Sequence, residues 1–255
     1  MAEHRDILTR TAPPPDTTLR YGELPDQVAD VWLPAGSGPL VLCWHGGYWR
    51  PAHDRSYTGS LAADLASRGY AVANLEYRRG GDWADTMLDV AAGADAVPGL
   101  VGRTEVVYTG HSAGGHLALW AALRHRLPDG APGRRAEPPA VRGVLALAPV
   151  AEVAEAYRRH LDLGAARDFL GGAPRAYPER YAAVDPAGLG APEVPTVLVH
   201  GRADGRVPIA LSREYAAHHE GVRLVEVDAD HFAVVDPESS AWPTVLTELA
   251  ALAGR

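Results

Sequence analysis

The 255-residue chain contains no lysine; all 24 of its basic residues other than histidine are arginines. Alanine, glycine and proline are abundant alongside them, the mark of a GC-rich genome, so the arginines are not read as a surface selected for anion binding. The single cysteine, Cys43, excludes an internal disulfide, and its place in the apolar run LVLCW makes it a buried small hydrophobe rather than a reactive thiol. No apolar stretch approaches the length of a membrane span. The first residues carry charge at Glu3, His4, Arg5 and Asp6 and lack the apolar centre of a signal peptide, so the expected location is the cytoplasm. A net charge of −8 argues against a duplex nucleic-acid partner, which would call for clustered cations. No H-E-x-x-H motif or Cys/His grouping occurs, and neither a metal nor a cofactor is expected.

What is present is an alternation of short apolar runs and longer amphipathic stretches. Val28–Leu33, Leu40–Trp44, Tyr70–Tyr77, Glu105–Thr109, Val141–Ala148, Thr196–His200 and Arg223–Val227 read as strands. Several are continuous apolar runs, as a sheet covered on both faces requires. Helical segments are expected at Tyr57–Arg68, Trp83–Val97, Ala113–His125, Ile209–His219 and Thr244–Leu252. The pattern implies one α/β domain over residues 1–255, with a mainly parallel central sheet and helices on both faces. Residues 1 to about 26, including Pro13-Pro14-Pro15, read as an irregular lead-in. The stretch from about 150 to 190 breaks the rhythm, with short helical pieces around Glu152–Arg159 and Ala165–Leu170. It is either a small lid above the sheet or an ordinary long connection.

The chemistry centres on Gly110-His111-Ser112-Ala113-Gly114, a G-x-S-x-G that follows the strand TEVVYT and precedes the helical run HLALWAAL. A sharp strand-to-helix turn lifts a serine oxygen above the strand ends and tolerates only small neighbours. Ser112 is therefore the expected nucleophile. Upstream, LVLCW runs into His45-Gly46-Gly47-Tyr48-Trp49, where glycines let the backbone present N–H donors. The expected oxyanion donors are the N–H groups of Gly47, Tyr48 and Ala113.

In strand–elbow–helix enzymes the acid and then the base follow the serine along the chain. Asp204 lies in a loop just past the strand TVLVH, and His231 follows the strand RLVEV. These are the expected acid and base; among eleven histidines His231 alone combines this order with a loop beyond a late strand. His45 is expected to hold its loop by hydrogen bonds, and His200 and His116 to be packed. Tyr48, Trp49 and Phe232 are candidate substrate-pocket walls, with core packing the alternative for Trp49. Glu76 either orders the loops or forms a solvated pair with Arg78 or Arg79.

HGGYW followed by GHSAGGHLA, together with HGRADGRVP and DADHF, resembles the α/β-hydrolase superfamily, and within it the kynurenine formamidase (arylformamidase) and small carboxylesterase group. Tyr48 stands where lipases have a third glycine, which keeps a backbone donor but narrows the pocket. The resemblance implies a serine hydrolase that cleaves an ester or aryl formamide of a small, apolar or aromatic substrate through an acyl-enzyme. A non-catalytic ligand receptor and an acyltransferase on the same fold are the alternatives. The expected partner is a small molecule; oligomeric state is left open.

Overall fold

The computed structural model describes residues 4–255, and positions 1–3 of the lead-in lie outside the described residues. In chain order the strands are β1 (Thr17–Arg20), β2 (Val28–Trp32), β3 (Leu40–Trp44), β4 (Ala71–Leu75), β5 (Val106–His111), β6 (Gly143–Leu147), β7 (Thr196–Gly201) and β8 (Val222–Val227). They form one sheet in the order β1-β2-β4-β3-β5-β6-β7-β8. β1 with β2 and β2 with β4 are antiparallel, while every neighbouring pair from β4 through to β8 is parallel. The mainly parallel α/β architecture expected from the sequence is the one the chain adopts.

Burial explains why the inner strands are apolar at every position. All five residues of β3 are buried, and they divide by parity. Leu40, Leu42 and Trp44 pack with α2 (Trp83–Val101, after α1 at Gly59–Ser67) and α3 (Ala113–Leu123) on one face. Val41 and Cys43 pack with α1 and the last helix, Trp242–Ala253, on the other. Burial pushes the Cys43 thiol up to about 12, leaving it inert. Among the described residues, no helix is long and apolar enough to cross a membrane.

Two expectations are corrected. The lead-in is not irregular throughout: Arg5–Leu8 form a short 3-10 helix, and β1 forms a hairpin with β2, Thr17 opposite Val31. β1 is an edge strand with no buried residue, so it carries no apolar run to announce it; β-branched Thr17 and Thr18 were its one signal. The helix expected to stop at Val97 continues through Pro98 to Val101, where Gly102 at φ 69° ends it.

The segment after β6 folds as four short helices, α4 (Val153–Arg158), α5 (Ala165–Leu170), α6 (Pro178–Val184) and α7 (Pro186–Leu189), ahead of α8 (Ala210–His218) and α9 (Trp242–Ala253). Phe169, Leu170, Tyr181 and Val184 join the α3 side of the core. Asp185 locks the layer by accepting backbone hydrogen bonds from Val153, Ala154 and Ala187.

Candidate active site

The sequence motif at the end of β5 makes a tight elbow. Ser112 has φ 58° and ψ −118°, a conformation that strains any residue with a Cβ. The surrounding backbone enforces it: Ser112 N–H donates to the Leu147 carbonyl at 2.8 Å, and Val150 N–H donates to the Ser112 carbonyl at 3.1 Å. Glycines flank it because the chain passes itself closely. A Cβ on Gly110 would stand 2.2 Å from the Gly114 carbonyl oxygen, and one on Gly114 would stand 1.9 Å from that of Trp44. Ala113, fully buried, begins α3 directly behind the serine, where helical N–H groups favour negative charge.

The loops after β7 and β8 bring Asp204 and His231 together. Oδ2 of Asp204 accepts from His231 Nδ1 at 2.7 Å and from His200 Nε2 at 3.1 Å, while Oδ1 accepts from the backbone N–H groups of Arg206 and Val207. Burial is the strongest single influence and opposes ionisation of Asp204. The hydrogen bonds from His200 and His231, together with the electrostatic influence of the same two rings, outweigh it and hold the carboxyl well below its ordinary value. His200 Nε2 faces only acceptors, Asp204 and the Val207 carbonyl, so it carries the proton and Nδ1 accepts from Ser212 Oγ at 2.7 Å. With its Nδ1 proton given to Asp204, His231 keeps Nε2 as an acceptor.

Ser112, His231, Gly47, Tyr48 and Phe232 line one cavity of about 110 Å³. Among the described residues no hydrogen bond joins Ser112 Oγ to His231; in unliganded sites such bonds are often long and tighten with substrate bound. The 45–49 loop curls tightly, with Gly47 at φ 112°, Tyr48 at 51° and Trp49 at 57°. His45 secures it from below, bonded to Glu76 at 2.9 Å and stacked on Tyr77. Glu76 is thus a buried loop anchor, which also accepts from Arg55 N–H and forms the expected ion pair with Arg79, though buried rather than solvated. Tyr48 Oη donates to the Arg206 carbonyl at 2.8 Å and ties this loop to the one that carries Asp204.

Trp49 is placed differently from the pocket-wall expectation. It is buried, stacked on Phe169 of α5 at 4.6 Å and edge-on to His116, and it is not among the residues that line the cavity at Ser112. It borders a separate cleft beside Arg50 and Asp168. Conversely, sequence reasoning missed other cavity residues: Arg5 and Leu8 of the lead-in, His53 and Tyr57 after the 45–49 loop, His111 of the elbow, Asp162, and Arg206. The lead-in is fastened there by His4, whose N–H and Nδ1 both bond Asp230, the neighbour of His231, and by Arg10 on Asp236. His111 could have been suspected from its place inside the motif; nothing local marked the others.

The sequence model of the family BD-FAE matches residues 29–218. Kynurenine formamidase of Danio rerio is 35% identical over 104 residues, covering 38% of this chain and 35% of that protein. The probable carboxylic ester hydrolase LipM of Mycobacterium tuberculosis is 28% identical over 131 residues, covering 46% of this chain and 30% of LipM. Each match thus spans about a third of the curated relative. Among solved structures, an inhibited esterase B from Lactobacillus rhamnosis superposes with a TM-score of 0.78 at 23% identity, over 95% of this chain and 89% of that one. A truncated carbohydrate esterase from gut microbiota gives 0.79 at 18% identity, over 95% of this chain and 100% of that one. At these identities the structural likeness concerns the fold, which is the α/β-hydrolase fold.

Proposed function

The chain belongs to the BD-FAE family, and from that premise we propose that it is a serine hydrolase of carboxylic esters, with aryl formamides as a second substrate class. The observation that carries the reading is a strained serine sharing a cavity with an imidazole whose far nitrogen is bonded to a buried carboxylate. In the proposed cycle His231 takes the Ser112 proton as Oγ attacks the substrate carbonyl carbon. Asp204 holds the imidazole in its reactive tautomer and supports the imidazolium that forms. The backbone N–H groups of Gly47, Tyr48 and Ala113 receive the oxyanion, each worth about two to three powers of ten in turnover. His231 then protonates the leaving alcohol or amine, and water, activated by the same imidazole, releases the acid from the Ser112 ester.

The cavity of about 110 Å³ favours a short acyl group, since sites for drug-sized ligands run from about 300 Å³ upward. Phe232 and Leu8 give it apolar walls. The kynurenine formamidase relative supports the formamide option, and the LipM relative supports the ester.

A fluorophosphonate probe should label the protein once, with labelling abolished in Ser112→Ala. No labelling of the parent protein would favour a receptor instead. Cleavage of short p-nitrophenyl esters with N-formylkynurenine untouched removes the formamide option, and ester products formed with added alcohols would indicate an acyltransferase.

A further inference from the structure

Tyr57 and His111 take no part in the proton transfers above, yet both are buried against the elbow and face the cavity. His111 occupies the first of the two unspecified positions of the G-x-S-x-G motif. Its Nε2 lies 2.9 Å from the backbone carbonyl of His231, and its Nδ1 lies 3.0 Å from Tyr57 Oη. Tyr57 Oη in turn accepts from Gly46 N–H at 2.6 Å.

The direction of every link follows from which groups can donate. Burial, reinforced by the neighbouring His231, holds His111 well below the usual histidine range and hence neutral. A neutral imidazole has one donor and one acceptor. The His231 carbonyl can only accept, so Nε2 carries the hydrogen and Nδ1 must accept. Tyr57, whose phenol burial pushes far up, therefore donates its one proton to Nδ1 and spends a lone pair on Gly46 N–H. The result is a one-way chain: Gly46 N–H to Tyr57 Oη, Tyr57 O–H to His111 Nδ1, and His111 Nε2–H to the His231 carbonyl. Reversing the Tyr57–His111 link would set the His111 Nε2 lone pair against the His231 carbonyl, a buried acceptor facing an acceptor.

This chain joins the three moving parts of the reaction. Gly46 opens the oxyanion loop, His111 precedes the nucleophile, and the His231 carbonyl belongs to the base's own backbone. The fit is close at the same point: a Cβ on Gly46 would stand 2.8 Å from both Tyr57 Oη and the His111 carbonyl, and 2.9 Å from Ser112 Cβ. We propose that Tyr57 and His111 act as a paired positioning strut that sets the spacing between the oxyanion loop and the His231 loop across the nucleophile elbow. The proposal rests on the serine-hydrolase reading and deepens it. The strut touches neither reacting proton; it acts through the backbone of Gly46 and His231.

The strut can be tested with short p-nitrophenyl esters and with the rate of phosphonate labelling, which reports oxyanion geometry directly. Tyr57→Phe strands two buried groups and should lower kcat roughly ten- to hundredfold, the scale of a misplacement near 1 Å, with KM little changed. Phosphonylation should slow in parallel. His111→Phe should match it, and the double variant should be no slower than either single one, because both break the same chain. His111→Gln should recover kcat to within about threefold, since its amide offers oxygen to Tyr57 and N–H to the His231 carbonyl. A melting curve for each variant corrects for unfolded protein. Additive losses in the double variant, a change confined to KM, or a loss explained wholly by the unfolded fraction would each overturn the strut. Should Tyr57→Phe fail to fold, His111→Phe against His111→Gln makes the same comparison. Ser112→Ala separates the two levels: turnover surviving it overturns the hydrolase reading and the strut with it. Turnover abolished by Ser112→Ala but untouched by Tyr57→Phe overturns the strut alone.

Discussion

Replacing Ser112 by glycine should stabilise the protein relative to replacing it by alanine, although both variants are inactive. At φ 58° and ψ −118° the serine occupies backbone space that is comfortable only without a Cβ, and holding such a residue costs of order 1–3 kcal/mol. Alanine retains the Cβ and the strain. Glycine removes the strain but gains backbone freedom in the unfolded chain, at a cost of about 0.5–1 kcal/mol. Taking the middle of both ranges, glycine should exceed alanine by about 1 kcal/mol, which for a protein of this size raises Tm by about 2–4 °C. Both variants lose the same hydroxyl, so the comparison cancels its contacts and isolates the backbone. Urea denaturation and calorimetry of the pair, after confirming reversible two-state behaviour, give the difference directly. If the glycine variant melts at or below the alanine variant, the elbow stores no backbone strain at Ser112 and the reasoning is refuted.

Asp204→Asn should lower kcat by about 10⁴-fold with the fold intact, because an amide nitrogen facing His231 Nδ1 forces the imidazole into the tautomer that cannot accept the serine proton; a loss below tenfold in steady-state assays would contradict the assignment. The same carboxyl ties stability to acid pH. It ionises below its ordinary value of 3.8 in the fold, so its contribution is complete above that pH and is lost as pH falls below it, when the unfolded chain takes up the proton first. Asp204→Asn should therefore flatten the fall of stability below about pH 4, as measured by urea midpoints, and an unchanged slope would refute the linkage. Gly114→Ala drives a Cβ to 1.9 Å from the Trp44 carbonyl oxygen and should cost about 3 kcal/mol as well as activity, seen in thermal melts beside ester assays. Phe169→Ala removes the ring stacked on Trp49 and should cost about 3–5 kcal/mol; a smaller loss by denaturant titration would mean that the layer carrying α5 is loosely held.

Most of the sheet and all three members of the proposed triad could be located from sequence because their signals are local. β3 is buried at every position and reads as an unbroken apolar run, and the elbow needs its glycines within five residues. Asp204 and His231 follow from their order after late strands. The remainder depended on contacts between distant segments. β1 is legible only through its pairing with β2, and Trp49 could not be assigned to wall or core until Phe169 was placed against it. The part played by Arg5 and Leu8 at the cavity was invisible for the same reason: their helix is fastened through a His4–Asp230 bond that spans 226 positions. Tyr57 carried no motif, and its importance lies in a hydrogen bond to a histidine 54 residues away.

That fastening of the lead-in beside the base has a consequence for how the protein comes to life. The cavity has Leu8 on one side and Phe232 on another, so its enclosure requires the earliest and nearly the latest described segments to meet. A chain made only as far as β6 contains Ser112 and the loop after β3, but neither His231 nor the carboxylates, Asp230 and Asp236, to which His4 and Arg10 are bonded. In the proposed cycle Ser112 is therefore without its base until the β8 loop, which carries His231, has joined the fold.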